Sequence, residues 1–392
     1  MSARPRNLTA TGRGAIDAIR PTRAEVDLGA IRHNVGVLRR MAEPARVCAV
    51  VKADGYGHGG VAAARAAIEA GATWLAVALV EEGEVLRAAG IDVPILLLSE
   101  PLGQPDAQGR RRAATRVLGA DLTPSVATVA FAELLGEVAN APVSAHLLVD
   151  TGMGRVGCRP DEVPALLAHP GLRVTGAWTH LARADEDVAT TDEQLARWRP
   201  CVERIRRAHP EALVHAANSA GVLRHPATHA DLVRAGIAMY GLSPAPDVRA
   251  AAFGLRQALT LRTGVSFVKH VAAGTPVAYG HTWSAPRDGW VATLPIGYAD
   301  GVPRSTSNHI EVLLAGQRYP QVGRVTMDQV MVFTGDHQPA LGDEVILLGG
   351  DARHPDDPTR FVSVDEWAAA AGTISYEIPC HLTARVPRVH VG

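Results

Sequence analysis

Residues 46–59, RVCAVVKADGYGHG, decide how this chain is read. An apolar run ends on Lys52 and passes at once into a turn of Gly55, Tyr56, Gly57, His58 and Gly59. A strand that delivers a single side chain into a glycine-rich turn is the way a parallel barrel presents working residues at the C-terminal ends of its strands. Lysine is also rare here: of 39 Lys and Arg residues, only Lys52 and Lys269 are lysine. Arginine keeps its proton at any working pH, whereas a desolvated lysine can release one and act as a base or as a nucleophile towards a carbonyl. Val47, Val50 and Val51 supply the desolvation. Amine chemistry is therefore expected at Lys52, and a solvated strand position at Lys269.

The surrounding pattern repeats. Counted from Val47, strands are expected at 74–79, 93–98, 116–122, 143–149, 173–178, 212–215 and 232–234, with helices between most of them, such as 61–70, 81–89 and 191–208. Leu195, Trp198, Val202 and Ile205 fall at helical spacing in the last of these. Eight strands alternating with helices give an α/β fold with an N-terminal (β/α)8 barrel. A dinucleotide-binding open sheet fits less well, since a lysine precedes the glycines at 55–60 and no ribose-binding acid follows. From about Leu255 the segments become short, alternating and β-branched, separated by Gly and Pro, which reads as a mainly β C-terminal domain. The expected division is a disordered tail over 1–21, a strand over 22–28 that joins the C-terminal domain, a barrel over 29–254 and a β-rich domain over 255–392.

Composition narrows the function. A net charge of −1 offers no broad polyanion surface, and Arg110, Arg111 and Arg112 read as a solvated loop, so no nucleic-acid partner is expected. Cys48, Cys158, Cys201 and Cys380 are scattered without metal spacing, Pro226 separates His225 from His229, and no metal site is expected. The arginine-bearing first twenty residues lack the apolar segment of a secretory signal, and no run approaches the roughly 18 apolar residues of a membrane span. The expectation is a cytoplasmic protein with no membrane partner.

Candidate site residues fall at the ends of the expected strands. DTGMGRVG (Asp150 to Gly157) follows the fifth, His180 the sixth, Asn218 and Ser219 the seventh, and RAGIAMYG (Arg234 to Gly241) closes the eighth. Barrels often bind phosphate in the loops after strands seven and eight. There a Ser219 hydroxyl with the Gly236 and Ile237 amides suits a phosphate monoester. Beside a lone lysine, that points to a phosphorylated aldehyde cofactor. Arg234, which does not give up its proton, suits a donor to the cofactor's pyridine nitrogen. Exchange of a proton on two faces needs two bases. Lysine and tyrosine have reference pKa values of about 10.4 and about 10 and are closely matched, which makes Tyr279 in PVAYGHTW the candidate partner of Lys52.

From Ala24 to the C-terminus the chain resembles the alanine racemases, pyridoxal 5'-phosphate enzymes. AVVKADGYGHG, VDTGMGRVG, Thr179–His180, Asn218–Ser219, VRAGIAMYGLSP, AYGHTW, LPIGYADGVPR, GRVTMDQ and SYEI carry the resemblance. It implies interconversion of L- and D-alanine by two-base proton transfer, supplying D-alanine for peptidoglycan. It further implies that Lys52 holds the cofactor and acts on D-alanine, that Tyr279 of a partner subunit acts on L-alanine, and that the working unit is a homodimer. Tyr56, Ser219, Gly236, Ile237 and Tyr376 would hold the phosphate, with Asn218 beside them. Arg234 would meet the pyridine nitrogen, backed by His180. Arg155 would meet the cofactor's phenolic oxygen and the substrate carboxylate, with Met327, donated across the interface, and Tyr298 at the entrance.

Two departures stand out. Many members carry a lysine where this chain has Leu148, and that lysine orients the arginine corresponding to Arg155. Chloride or another acidic side chain is expected to substitute. Thr326 replaces a frequent cysteine. A broad-specificity or serine racemase remains open, since a methyl and a hydroxymethyl differ by one small group. A decarboxylase of the same fold would carry an acid in place of Arg234 and a catalytic cysteine in its C-terminal domain. A cofactor carrier would lack the β domain.

Overall fold

The computed structural model describes residues 19–101, 103, 106–351 and 357–392. Most of the expected tail, 1–18, lies outside the described residues. The chain divides into two compact units: Gly29–Arg256, and the N-terminal segment up to Leu28 together with Gln257–Gly392.

After β1 (Arg23–Asp27), eight strands build the first unit: β2 (Arg46–Val50), β3 (Trp74–Val77), β4 (Ile95–Leu97), β5 (Thr123–Val126), β6 (Val143–Leu148), β7 (Leu172–Trp178), β8 (Leu213–His215) and β9 (Leu232–Ala235). Neighbours are parallel, in the order β8-β7-β6-β5-β4-β3-β2-β9. Two backbone bonds link the remaining edges, from Asp231 N to Val214 O (3.0 Å) and from Arg234 N to Ala217 O (3.0 Å). The Asp231 carboxylate adds an acceptor for Val214 N at 2.8 Å. The sheet is thereby a (β/α)8 barrel, with side chains rather than a channel at its centre.

Its outer helices form because their apolar residues recur every three or four positions. Val188–Ala208 buries Leu195, Trp198, Cys201 and Ile205 on one face, and Asp187 caps its start by accepting from Ala189 N. These residues pack with Phe131, Leu135, Leu147, Val174 and Val214 in one core cluster.

The fourth barrel strand is not at 116–122. Residues Ala107–Gly119 form a helix that buries Ala114 and Val117, and the strand is Thr123–Val126. The helix wins because Asp106 caps it and its arginines alternate with inward small residues at helical spacing. Pro124 obscures the strand that follows, since proline lacks the ladder donor. Arg110, Arg111 and Arg112 therefore lie on a helix and not in the loop expected of them.

In the second unit, the strands are β10 (Leu259–Gly264), β11 (Phe267–Val271), β12 (Pro276–Val277), β13 (Trp283–Ser284), β14 (Gly289–Leu294), β15 (Glu311–Leu314), β16 (Gln317–Val322), β17 (Val330–Gly335), β18 (Glu344–Gly350), β19 (Phe361–Val362) and β20 (Arg388–Val391). The main sheet runs β11-β14-β17-β16-β15-β18-β10-β1-β20, with β19 on β18. β1 pairs antiparallel with β10 and parallel with β20, so the start of the chain is stitched between two distant segments. Fully buried Asp300 anchors the same unit, its carboxylate 2.7 Å from Arg20 and 3.3 Å from Arg385 while accepting from Gly297 N. Lys269 is exposed on β11. Among the described residues no helix is long and apolar enough to cross a membrane, and no cluster of metal-ligating side chains occurs.

Candidate active site

Lys52 follows β2 and opens a left-handed turn. Ala53, Asp54, Gly55, Tyr56 and Gly57 have φ values of 51°, 50°, 63°, 52° and 79°. Three of the five are not glycine, and each such residue costs on the order of 1 kcal/mol or more, a strain that collects at functional sites. Side chains hold the turn. Glu82 accepts from Ala53 N at 2.6 Å with one oxygen and from Ala78 and Leu79 N with the other, while Asp54 accepts from Gly60 N at 2.6 Å. The left-handed path turns Tyr56 inward, where it is buried 5.2 Å from the Tyr240 ring. The Lys52 ammonium lies 5.9 Å from the Tyr56 ring centre.

Across the barrel mouth, Asn218 and Ser219 divide two tasks. The Asn218 carboxamide caps the helix Ser219–Arg224 by accepting from Gly221 N at 2.9 Å. Ser219 is thus released from capping, and its Oγ accepts from Gly236 N (2.9 Å) and Ala238 N (3.3 Å). With both acceptor positions used, the hydroxyl hydrogen is left to donate. The Gly236 amide therefore acts through Ser219, which differs from the separate hydroxyl and amides expected from the sequence. A Cβ on Gly236 would stand 2.7 Å from the Tyr56 hydroxyl. Tyr56, Ser219 and Gly236 consequently form one concave group, with Ile237 next to it at the start of the turn Ile237–Tyr240. Gly236→Ala is expected to push Tyr56 out of this position and weaken retention of a phosphate-bearing ligand about tenfold, roughly the loss of one good hydrogen bond to a charged group. Inorganic phosphate or pyridoxal phosphate titrations of the two proteins would measure it.

Arg234, on β9, is buried, and both of its terminal nitrogens are held by hydrogen bonds. Its Nη2 donates to the Thr179 and Ala216 carbonyls at 2.8 and 3.0 Å, its Nη1 to His215 Nδ1 at 3.0 Å, and its guanidinium carbon lies 4.5 Å above the Trp178 ring. Burial pulls its pKa down to about 10, which still leaves it cationic at neutral pH. His180, expected behind Arg234, is at 3.5 Å from Nη2, the outer limit of a bond. His215 is the closer support, and sequence reasoning passed over it. Its signal was its place: His215 and Trp178 end β8 and β7, where barrel strands present their working residues. Burial first, then Arg234, Arg155 and Lys52 as neighbouring cations, push the His180 pKa down to about 3. The three cations thus converge on one neutral imidazole.

Arg155 stands on the loop after β6 and is exposed. Asp150 shapes that loop by accepting from Gly152, Met153 and Gly154 N at 2.8–2.9 Å. Leu148 is buried at the end of β6, and among the described residues no ion pair joins a carboxylate to Arg155. Among the described residues of this chain no acidic side chain stands in for the missing lysine beside Arg155: Asp150, the nearest acid in sequence, is committed to backbone amides.

In the second unit one loop, 323–327, gathers three candidates. A Cβ on Gly323 would meet Ala278 at 2.8 Å, and one on Gly280 would meet Arg324 at 2.9 Å, which pins the turn Tyr279–His281. Tyr298 N and Ala299 N donate to the Thr326 and Met327 carbonyls at 2.9 and 3.0 Å. Tyr279, Tyr298 and Met327 are 73%, 41% and 53% exposed, unusual for large apolar groups on neighbouring turns. Thr326 bonds the Gln329 carbonyl through its hydroxyl, a polar role that suits the replacement of cysteine. Tyr376 precedes the helix Glu377–His381, whose end meets the Tyr298 turn through Thr383 N and the Asp300 carbonyl at 3.1 Å.

A parallel barrel that offers an amine, a buried guanidinium and a hydroxyl cradle at one rim, with a mainly β unit in the same chain, defines a two-unit barrel enzyme. The chain belongs to the alanine racemase family. Residues 26–244 match the family profile described as "Alanine racemase, N-terminal domain" and residues 258–390 the one described as "Alanine racemase, C-terminal domain". The alanine racemase of Symbiobacterium thermophilum is 45% identical over 96% of this chain and 99% of its own length, and that of Frankia casuarinae 44% over 94% and 96%. Among solved structures, the Streptomyces coelicolor alanine racemase is similar with a TM-score of 0.87 at 40% identity, covering 96% of this chain and 100% of that one. The Bacillus anthracis alanine racemase, solved with bound L-Ala-P, has a TM-score of 0.84 at 37% identity, covering 96% of both. The family is pyridoxal-phosphate-dependent.

Proposed function

We propose that this chain interconverts L- and D-alanine with Lys52 and Tyr279 as the two bases, and thereby supplies D-alanine for peptidoglycan. The observation that carries the reading is the Ser219–Gly236–Tyr56 cradle opposite Lys52: a hydroxyl with a hydrogen left to donate, beside a glycine whose missing Cβ leaves room, fits a phosphate monoester. Tyr56, Ser219, Gly236, Ile237 and Tyr376 would hold the phosphate of pyridoxal 5'-phosphate, and Arg234 its pyridine nitrogen. When bound, that cofactor withdraws electrons from the α-carbon of the amino acid and makes its hydrogen acidic. Arg234, cationic and stacked on Trp178, donates without giving up its proton, which moderates the withdrawal and favours simple proton exchange.

The chain's own residues do the rest. Lys52 takes or returns the α-proton on one face, and Tyr279 does so on the other. Arg155 would receive the substrate carboxylate, helped by Met327, with Tyr298 at the entrance. The exposure of Tyr279 and Met327 supports their donation to a second copy, so the homodimer is the working unit. Arg234 in place of an acid disfavours the decarboxylase reading.

The test is the visible spectrum of the purified protein together with the circular dichroism of L-alanine, L-serine and L-lysine, for wild type and Tyr279→Phe. A yellow wild type that erases the L-alanine signal is expected. In Tyr279→Phe, loss of the L-alanine signal should slow by about 10²–10⁴-fold, the usual share of a general base, while deuterium exchange into D-alanine continues at Lys52. Unchanged turnover in Tyr279→Phe would remove it as the second base. A colourless wild type would remove the cofactor.

A further inference from the structure

Beneath Arg234 two histidines lie inside the barrel, both fully buried. His215 Nε2 is 3.0 Å from His146 Nδ1, and His215 Nδ1 is 3.0 Å from Arg234 Nη1. Arginine has no acceptor, so Nη1 donates and His215 Nδ1 must be bare. A neutral His215 then carries its hydrogen on Nε2 and donates to His146 Nδ1. His146 in turn must carry its hydrogen on Nε2, which finds no acceptor among the described residues and rests against Gly176, where a Cβ would stand 2.5 Å away. Every other assignment sets two N–H groups face to face at 3.0 Å. Walls of rings keep the pair in place: Trp178 stacks on His215 at 6.0 Å and 15°, and Trp74 lies 5.0 Å from His146.

We propose that His146, acting through His215, is a positioning residue for Arg234: the three form a one-way hydrogen-bond relay in which both imidazoles are held as neutral Nε2–H tautomers. The proposal rests on the reading of Arg234 as the donor to the cofactor ring. Thr179 and Ala216 fix one nitrogen of the guanidinium, and the relay fixes the other, so the plane of the fork cannot turn about its axis. An added proton on either imidazole breaks the chain. The ionisable groups bearing on the pair are Arg234 and the two histidines themselves, and burial, with Arg234 second, keeps both neutral. Close to Arg234 sits Cys48, flanked by Trp74 and Arg234 in the strand register, whose thiol burial pushes up to about 12 and so leaves uncharged. Among these four groups, Arg234, His215, His146 and Cys48, the charge is then carried by Arg234.

The direct test is long-range proton–nitrogen NMR on ¹⁵N-histidine-labelled full-length protein, as purified and after removal of bound cofactor, between about pH 5.5 and 9, a range that spans the ordinary histidine pKa. Signals are assigned by their loss in His146→Leu and His215→Leu. Both residues are expected to keep a protonated Nε2 and a bare Nδ1 throughout, and an Nδ1–H form or a titration of either would overturn the relay. The second test separates positioning from packing. His146→Asn is smaller than histidine but places an oxygen near Nδ1, whereas His146→Leu fills the space without an acceptor. Pyridoxal phosphate affinity, read by absorbance, should fall about tenfold in His146→Leu and be largely restored in His146→Asn, one hydrogen bond near a charged group setting the scale. Equal or better binding in His146→Leu would make the residue mere packing. If the wild type bound no pyridoxal phosphate, the cofactor reading would fail while the tautomer test still decided the relay.

Discussion

Lys52→Arg is expected to abolish racemisation, by roughly 10⁴-fold or more, and to leave the protein colourless with added pyridoxal phosphate. The substitution is chosen because it preserves the cation. His180 feels Lys52 as a positive neighbour along with Arg234 and Arg155, and arginine keeps that field. The turn that follows is held by Glu82 and Asp54 through backbone amides, so its strained path does not depend on the side chain at 52. Folding should accordingly stay within about 1 kcal/mol of wild type, as for most substitutions that create no cavity or buried unpaired group. What arginine cannot do is release a proton at working pH and attack an aldehyde. The loss would then be chemical, and denaturation of both proteins in parallel would show it. Turnover above about 1% of wild type in Lys52→Arg would take Lys52 out of the chemistry, since a general base or nucleophile accounts for more than that factor.

Lys52 was legible because composition isolated it: one of two lysines in an arginine-rich chain, at the end of a β-branched run. The barrel was legible because parallel strands buried on both faces read as apolar runs between helices. The fourth strand escaped because its signal, Thr123-Pro124-Ser125-Val126, contains a proline and lies beside a helix whose Val117 and Leu118 mimic a strand. The division of labour between Asn218 and Ser219 could not be read from sequence either. Both residues are good helix caps, and which one caps depends on where the chain leaves β8. His215 and His146 were hidden for a different reason. A buried histidine facing a barrel axis leaves no periodic trace, and its role appears only when the partner on another strand is known. Nor does Leu148 reveal what steadies Arg155, because an apolar residue marks the missing lysine without naming its replacement.

The same buried histidines govern stability in acid. His146 and His215 are fully enclosed, burial being the main cause that carries His146 down to about 3 and His215 well below the ordinary 6.5. In the unfolded chain both titrate near pH 6.5, so below that pH the unfolded state binds two protons that the folded state refuses. Stability is therefore full above about pH 6.5 and falls as pH drops, His146 contributing about 1.4 kcal/mol per pH unit down towards 3 and His215 acting in the same direction. For His146 alone that is roughly 2–3 kcal/mol between pH 6.5 and 4.5, a sizeable part of the 5–15 kcal/mol typical of a folded domain, and His215 adds to it in the same direction. His180 shifts in the same direction, but its partial exposure makes its share smaller. Glu100 and Asp185 oppose the trend: burial raises both, so the folded state takes those protons first and gains a little as pH falls. These two carboxylates, only partly enclosed, do not offset two fully enclosed imidazoles. Urea denaturation of the cofactor-free protein at a series of pH values should show the midpoint dropping steeply below 6.5. His146→Leu should flatten the slope by about one proton, or roughly 1.4 kcal/mol per unit, even if it lowers stability at neutral pH. A midpoint that stays level between pH 6.5 and 4.5, or a slope untouched by His146→Leu, would mean that these imidazoles reach water and take up protons without unfolding the barrel.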